Sequence, residues 1–350
     1  MGDADKIKMK KAAIVNPYLD TLGGGERYTL GVATALAKNG FQVDVQWDDP
    51  KIKDKLQNRF GINLKNVNFV EDVKRGDGYD ICFWVSDGSI PLLRARRNWL
   101  HFQVPFSDVE GKTLMNKMKF FRINEIICNS KFTKNVIDKS YGVNSGVIYP
   151  PVVVSDIKPK RKQNIILSVG RFSRLKQSKN QDKLVEAFKK LYDSGVKNYK
   201  LILAGGAEVG NNGFVNELKK SAKGYPISIK VSPKFSEIKD LYGKAKIYWS
   251  AAGMGVDEQK HPEKTEHFGI TVVEAMAAKA VPIIFRAGGH KEIITDNING
   301  LFFENNDTLI DKTIALFANS KNLRKLADQA HKDSKIYSYE KFEKKIAKLL

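Results

Sequence analysis

The chain has 350 residues, of which 42% are hydrophobic and 28% are charged, as in ordinary soluble proteins with room for two domains. No apolar run approaches the ~20 residues of a membrane-spanning helix, and the charged segment 1–11 lacks the apolar core of a signal peptide. Cys82 and Cys128 lie in apolar runs and indicate buried thiols. We therefore expect a cytoplasmic protein.

The formal net charge of +20 favours an anionic partner: nucleic acid, an anionic membrane surface or a phosphate-bearing small molecule. The lysines are spread along the whole chain, and no basic arm, zinc spacing or aromatic RNA-binding sequence occurs. Nucleic-acid binding therefore finds no support. A high lysine content with no binding role is the simpler alternative.

The first elements predict a βαβ unit. The apolar run 12–16 predicts a buried strand, and the helical pattern after Gly23-Gly24-Gly25 ends at Gly40, before a second strand at 41–45. A glycine-rich turn lets the backbone and a helix N-terminus approach a ligand, although its spacing differs from the dinucleotide fingerprint. A tight turn without a ligand is the alternative.

Short apolar runs continue the α/β pattern at 67–70, 81–85, 98–102 and 125–128. His101 ends the third of these runs. Ligands bind at the carboxyl ends of strands in open α/β sheets, so His101 is a candidate site residue. A structural role is the alternative reading.

Residues Lys112–Arg122 predict an amphipathic helix. Four apolar residues share one face, and four cations lie around it: Leu114, Met115, Met118 and Phe121, with Lys112, Lys117, Lys119 and Arg122. This pattern fits an interfacial membrane patch. It also fits a helix that packs on its own domain.

The second half repeats the plan after Pro150-Pro151 and the basic run 158–162, which mark a linker. Further strands are predicted at 164–170, 200–206, 227–231, 246–250, 281–285 and 302–303. The expected fold class is α/β, with two doubly wound Rossmann-like domains and a cleft between them. Residues 1–152 form the first domain and 153–335 the second, and helix 336–350 packs back on the first.

The stretch Glu266–Glu274 places two carboxylates around a predicted helix start at Phe268-Gly269. A helix N-terminus suits an anion, and a carboxylate can bind two vicinal hydroxyls. Arg171, Lys176 and Lys179 follow the first strand of the same domain, so cations are expected at the same edge. A nucleotide diphosphate sugar is the expected ligand.

These motifs together resemble family 4 glycosyltransferases, the retaining GT-B group that includes sucrose synthases and lipid-linked mannosyltransferases. The resemblance covers essentially the whole chain. It rests on Gly23–Glu26, His101, Ile127–Ser130, Tyr149–Val152, Gly170–Phe172, Lys179–Gln181, the Glu266 and Glu274 pair with seven residues between, and Gly288-Gly289 with Glu292. Ser250 departs from the histidine that close relatives often have.

The resemblance implies a role for each matching residue. Arg171 and Lys179 would bind the donor pyrophosphate, with Lys176 as the competing lysine. Glu274 would hold the ribose, and Glu266 would contact the donor sugar. The amides of Phe268, Gly269, Ile270 and Thr271 would contact the sugar and the phosphates. Gly24 and Gly25, in the first domain, would approach the phosphate. His101 would lie near the transferred sugar and the acceptor.

The implied reaction moves a hexose from a GDP- or UDP-sugar to a glycan or lipid-linked acceptor, by front-face attack with retention. It belongs to polysaccharide or glycolipid synthesis on the inner membrane face. No metal or other cofactor is expected, since Arg171 and Lys179 stabilise the leaving phosphate. The one Asp-x-Asp, Asp3-Ala4-Asp5, lies in the N-terminal tail. The alternatives are a GT-B nucleotide-sugar epimerase, a sugar phosphorylase and a non-catalytic basic nucleic-acid-binding protein.

Overall fold

The computed structural model describes residues 9–21, 23–174, 177–207 and 212–350. Contacts between Cα atoms divide the chain into two compact units. The first comprises residues up to Asn129, then Thr133–Pro151 and Tyr339–Leu350. The second comprises Ser130–Phe132 and Val152–Ser338. Asp3-Ala4-Asp5 and Lys176 lie outside the described residues.

The first unit is built on a parallel sheet in the order β3-β2-β1-β4-β5-β6-β7. An inner strand of this sheet, paired on both sides, is buried along Ala12–Val15, which explains why the sequence shows a continuous apolar run there. The strands of the described residues are β1 Lys11–Val15, β2 Gln42–Gln46, β3 Val67–Val70, β4 Ile81–Val85, β5 Arg97–Phe102, β6 Glu125–Cys128 and β7 Gly146–Val147.

Helices lie between several of these strands along the chain. They are α1 Gly24–Lys38, α2 Ile52–Phe60, α3 Leu114–Phe120 and α4 Lys131–Tyr141. The buried stripe of α1, which includes Tyr28 and Leu36, belongs to the main core of the unit. Gly40 follows α1 with a φ of +83°, the left-handed position that ends many helices.

The second unit holds a parallel sheet in the order β10-β9-β8-β11-β12-β13. Successive strands are added on one side of β8 and then, from β11 onward, on its other side, so the strand order reverses between the neighbours β8 and β11. Open α/β sheets bind ligands at such a switch point. Its described strands are β8 Gln163–Val169, β9 Lys200–Gly205, β10 Ile227–Val231, β11 Ala245–Ser250, β12 Val281–Phe285 and β13 Leu301–Phe303.

Buried residues from several helices of the second unit join those of the strands in one cluster, among them Leu184, Leu218, Leu309 and Leu326. The helices are α5 Gln181–Asp193, α6 Asn212–Ser221, α7 Phe235–Lys244, α8 Ile270–Ala277, α9 His290–Ile293, α10 Asn306–Ala318 and α11 Ser320–Ser334. The predicted α/β class with two Rossmann-like sheets is confirmed.

The last helix, α12 Tyr339–Ala347, belongs to the first unit and packs against α1. Phe342 meets Tyr28 edge to face, with ring centroids 5.1 Å apart. It also lies over Gly31, where an added Cβ would come within 3.1 Å of the Phe342 ring. The missing side chain at position 31 is what lets α12 come so close.

Two expected elements differ in detail. The predicted helix Lys112–Arg122 is shorter, since Thr113 caps α3 by accepting from the N–H of Asn116. None of its residues is buried, so the reading in which the apolar face packs on its own domain is wrong. The predicted glycine loop 23–25 is also shorter, because α1 begins within it at Gly24.

Candidate active site

The loop after β8 is held against the end of its strand by polar contacts. Gln181 donates from Nε2 to the carbonyl of Arg171 at 3.0 Å. Asn180 donates from Nδ2 to the carbonyls of Ala251 and Met254, at 2.9 and 3.1 Å. These bonds tie the start of α5 to the carboxyl ends of β8 and β11. They fix the backbone next to Lys179, which directly precedes Asn180.

Lys179 lies across the strand end. A Cβ at Gly170 would stand 2.7 Å from Cγ of Lys179, so glycine is the residue that leaves room for this lysine. Its Nζ lies 2.8 Å from Oε2 of Glu266, with 23% and 14% of the two side chains exposed. The two predicted site residues therefore form a partly buried ion pair. Arg171 follows β8 after Gly170 and is exposed.

The charge of Glu266 is stabilised by its neighbours. Burial raises the pKa of this carboxyl, but the Lys179 ammonium, His290 and His267 together lower it further, so the pKa lies below its ordinary value. Glu266 is thus ionised at neutral pH. An ionised carboxylate can accept hydrogen bonds from two hydroxyls of a sugar.

Helix α8 presents its N-terminus next to Glu266. Gly269 starts the helix with a φ of +118°, a conformation that favours glycine, and Val272 is the first residue to bond back, to the Gly269 carbonyl at 3.0 Å. The N–H groups of Gly269–Thr271 thus have no carbonyl of their own helix to bind. Phe268 is buried, and Ile270 and Thr271 are half-buried.

The opposite end of α8 is capped by nitrogen donors. Lys162 donates from Nζ to the carbonyl of Ala278 at 2.6 Å and to that of Ala245 at 2.8 Å. His331 Nδ1 lies 2.7 Å from the carbonyl of Ala277. Donors at the carboxyl end satisfy the negative pole of the helix dipole, and the positive pole stays at Gly269–Thr271.

Glu274 lies in the fifth position of α8 and is 4% exposed. Tyr242 donates its hydroxyl to Oε2 of Glu274 at 3.0 Å. This bond orients the carboxylate from α7. The structure therefore gives Glu274 a fixed, largely buried position, with one oxygen already committed to a protein donor.

Gly288 and Gly289 bring the loop after β12 onto the Glu266 backbone. The N–H of Gly289 donates to the carbonyl of Glu266 at 2.7 Å. A Cβ at Gly288 would stand 2.2 Å from that same carbonyl oxygen, and one at Gly289 would stand 2.5 Å from the carbonyl oxygen of His267. Both positions therefore require glycine for this contact.

His290, which follows these glycines, is a residue that the sequence analysis missed. Its ring is fully buried, with Nδ1 3.0 Å from the carbonyl of Phe285 and Nε2 4.0 Å from Oε2 of Glu266. Nε2 has no hydrogen-bond partner among the described residues. The sequence signal was its position after Gly288-Gly289 at the end of a strand.

In the first unit, Gly24 and Gly25 are the first two residues of α1. A Cβ at Gly25 would stand 2.2 Å from Oε1 of Gln103, so that side chain lies on the glycine. Glu26 turns back and accepts from the N–H of Gly23, and burial raises its pKa more than these bonds lower it. The glycines thus form a close-packed helix N-terminus.

His101 lies at the end of β5, as predicted, but it is fully buried. Its ring stacks on Tyr28 with centroids 4.0 Å apart, and Nδ1 lies 3.0 Å from the carbonyl of Ile127. Burial lowers the pKa of His101 to about 3 despite that carbonyl, so the ring is neutral at physiological pH. Nε2 is left as an acceptor.

A family model described as "Glycosyl transferases group 1" matches residues 154–333, just over half of the chain. The chain belongs to this glycosyltransferase family. The matched range contains the ion pair, α8 and the two glycines of the site. The transferase has the GT-B fold of two parallel-sheet α/β domains, as its structural neighbours do.

Several known proteins are similar to this transferase. An uncharacterized glycosyltransferase of Methanocaldococcus jannaschii is 29% identical over 220 residues, which is 62% of this chain and 56% of that protein. The mouse GDP-Man:Man(3)GlcNAc(2)-PP-Dol alpha-1,2-mannosyltransferase is 30% identical over 47% of this chain. The match spans 35% of the mouse enzyme, so the chain corresponds to only part of these relatives.

Among solved structures, Anabaena HepE in complex with UDP and glucose superposes with a TM-score of 0.74 at 16% identity. The alignment covers 97% of this chain and 99% of HepE. At that identity the likeness concerns the fold.

Neither a membrane-spanning helix nor a cluster of metal ligands is found among the residues that the structure describes. None of the helices there is long and apolar enough to cross a bilayer. Over the same residues, no group of three or more His, Cys, Asp or Glu side chains is arranged to hold a metal ion.

Proposed function

We propose that this chain is a retaining hexosyltransferase that moves a sugar from a GDP- or UDP-sugar to a glycan or lipid-linked acceptor. The observation that carries the proposal is the Lys179–Glu266 pair beside the N-terminus of α8. A cation and a helix N-terminus suit a diphosphate, and the ionised Glu266 suits sugar hydroxyls. The similarity to a mannosyltransferase and to a UDP-binding structure supports a nucleotide sugar as donor.

Different residues of the site would bind different parts of the donor. Lys179 and Arg171 would bind the pyrophosphate, together with the amides of Phe268, Gly269, Ile270 and Thr271. Glu274 would hold the ribose hydroxyls, since Tyr242 already fixes its orientation. From the first unit, the α1 N-terminus at Gly24 and Gly25 would serve the phosphate, and His101 would serve the transferred sugar.

In the proposed reaction the bond from the anomeric carbon to the phosphate oxygen breaks, and a bond to the acceptor oxygen forms on the same face. The leaving phosphate takes the acceptor proton, so no protein base is required. Lys179, Arg171 and the α8 N-terminus stabilise the negative charge that develops on the phosphate. We propose that these groups make a metal unnecessary, so EDTA should leave the rate unchanged.

A thermal-shift screen with UDP-, GDP- and ADP-sugars tests donor binding first. We then expect Arg171→Ala and Glu274→Ala to lose detectable transfer while their far-ultraviolet circular dichroism stays unchanged. Donor affinity equal to that of the wild type in either variant would contradict these roles. Release of a free epimer or of a sugar 1-phosphate, instead of a glycoside, would exclude transfer.

We further propose that the transferase binds an anionic membrane surface through α3. Four apolar residues in α3 and directly after it are 59–90% exposed: Leu114, Met115, Met118 and Phe121. Exposed apolar side chains next to lysines and an arginine fit the boundary between acyl chains and anionic headgroups. Phe120 packs its ring edge-on against Tyr141, with the ring centroids 6.2 Å apart.

Vesicle flotation tests this surface. We expect binding to vesicles that contain phosphatidylglycerol and weaker binding to pure phosphatidylcholine. The double variant Leu114→Ser/Phe121→Ser should lose most of the binding, whereas Ile298→Ser/Ile314→Ser, which also removes two exposed isoleucines, should keep it. Equal flotation of both double variants would exclude α3 as the docking surface.

A further inference from the structure

His290 has the environment of a functional residue rather than of a core side chain. It is fully buried, but its Nε2 faces a carboxylate at 4.0 Å and has no partner among the described residues. A buried nitrogen without a hydrogen bond destabilises the fold, so its position needs a reason. The carboxylate is Glu266, the predicted sugar-binding residue.

Backbone contacts fix the distance between these two side chains. Nδ1 of His290 must carry a hydrogen, because its partner at 3.0 Å is the carbonyl oxygen of Phe285. The N–H of Gly289 donates to the Glu266 carbonyl at 2.7 Å. A Cβ at Gly269 would stand 3.2 Å from Cδ2 of His290, so the α8 N-terminus also packs on the ring. The ring is therefore clamped beside Glu266.

The groups around His290 shift its pKa in opposite directions. Burial and the Lys179 ammonium lower the pKa of His290, whereas Glu266 and the Phe285 carbonyl raise it, and the net pKa is lowered. His267 also acts on Glu266. A change in where Lys179 directs its charge would therefore alter the protonation of His290.

We propose that His290 is a positioning residue for Glu266: when Lys179 moves to the donor diphosphate, a protonated Nε2 replaces it on the carboxylate. This inference rests on the proposed donor role of Lys179 and Glu266. The side chains need to approach by about 1 Å, from 4.0 Å to an N–H···O distance of about 3 Å. Glu266 would then keep one cationic partner and one fixed orientation toward the sugar.

The exchange couples donor binding to a proton. When Lys179 leaves, the charge that disfavours imidazolium moves away and Glu266 loses its partner, so the pKa of His290 rises. A group whose pKa rises on binding takes up a proton, and affinity then improves as pH falls. The effect belongs to the pH range between the free and bound pKa values of His290, around the ordinary histidine pKa of about 6.5.

Isothermal titration calorimetry of the full chain tests the coupling with whichever of UDP-glucose or GDP-mannose gives the larger thermal shift. Titrations at pH 6.5 in buffers of different ionisation enthalpy report the number of protons taken up. The wild type should take up a measurable fraction of one proton, and its Kd should weaken by about threefold or more from pH 5.5 to pH 7.5.

Two variants separate positioning from packing. His290→Asn keeps a donor for the Phe285 carbonyl but has no atom at Nε2, so it should bind donor without proton uptake and with a flat pH profile. His290→Gln places an uncharged amide near Nε2, and it should restore affinity without restoring the proton linkage. His331→Asn is the matched control, because His331 also faces a backbone carbonyl but lies away from Glu266.

The outcomes are distinct. Donor binding by the wild type without proton uptake, or proton uptake that persists in His290→Asn, would overturn the role of His290 and leave the proposed function standing. No binding of either nucleotide sugar would contradict the proposed function itself. Loss of proton linkage in His331→Asn would show that any histidine replacement has this effect, which would also overturn the assignment.

Discussion

Gly288→Ala is the substitution that most directly tests how Glu266 is held. Gly288 has a φ of +53°, and a Cβ there would stand 2.2 Å from the Glu266 carbonyl oxygen and 2.8 Å from Oγ1 of Thr265. Carbon–oxygen contacts in proteins are rarely closer than about 3.3 Å, so the Glu266 backbone must retreat by roughly 1 Å. That movement would stretch the neighbouring bond from the Gly289 N–H to Glu266.

Two costs add up in this variant. A left-handed conformation costs a residue with a Cβ about 1–2 kcal/mol. Forcing an atom into a packed contact costs about 1–3 kcal/mol more. The total of about 2–5 kcal/mol corresponds to a fall in melting temperature of about 4–20 °C for a domain of this size. Transfer should fall more than tenfold, since Glu266 and its partners are displaced together.

Gly255→Ala separates the two costs. Gly255 has a φ of +81°, but an added Cβ meets nothing within 4 Å. This control should lose only the conformational part, about 2–8 °C, and should keep its transfer activity. Scanning calorimetry and a donor-turnover assay on both variants give the comparison. Equal melting temperatures and equal activities would refute the close approach of Gly288 to Glu266.

Three further substitutions test single contacts. Lys162→Met removes the donor to two helix-end carbonyls, so we expect urea denaturation to show a loss of about 2–3 kcal/mol. Lys179→Met removes the ammonium that lowers the pKa of Glu266, so burial should raise that pKa in the variant. The free energy of unfolding that the variant loses at pH 7 should then shrink on acidification to pH 5. In the wild type the sign is the reverse, because a lowered pKa makes Glu266 contribute less stability as the pH falls. A difference in unfolding free energy between this variant and the wild type that grows with acidification would contradict the prediction. Phe342→Ala should cost about 3–5 kcal/mol in the same assay, because α12 then loses its ring contact with Tyr28.

The fold followed from the sequence because buried parallel strands are apolar on both faces. The runs around Ile14 and Ile166 form β1 and β8, which are paired on both sides in their sheets, and both residues are fully buried. The boundaries were less accurate where glycine was involved, since glycine permits both a loop and a helix start. Gly24 lies in α1 although a loop was predicted there.

The site could be predicted only in part, for a physical reason. Lys179 and Glu266 each carried a local signal, but their ion pair joins residues 87 positions apart and depends on strand order. His290 carried no such signal, since its place beside Glu266 depends on where Gly288 and Gly289 bring the chain. The roles of Lys179 and Glu266 in donor binding stay predictions, as do those of His101, Arg171, Glu274 and the glycines of α1.

The ion pair in the site leads to a last expectation about affinity. Lys179 and Glu266 neutralise each other, so a diphosphate gains Lys179 only by separating the pair. Glu266→Gln removes that competition and keeps the shape of the side chain. We therefore expect UDP or GDP without a sugar to bind the variant more tightly by about 0.5–1 kcal/mol, about two- to fivefold in Kd, while transfer falls because the sugar loses its carboxylate. Calorimetry of the nucleotide alone gives the first value, and turnover gives the second. Weaker nucleotide binding in Glu266→Gln would mean that Lys179 does not move between carboxylate and phosphate, and the exchange that also underlies the role of His290 would then fail.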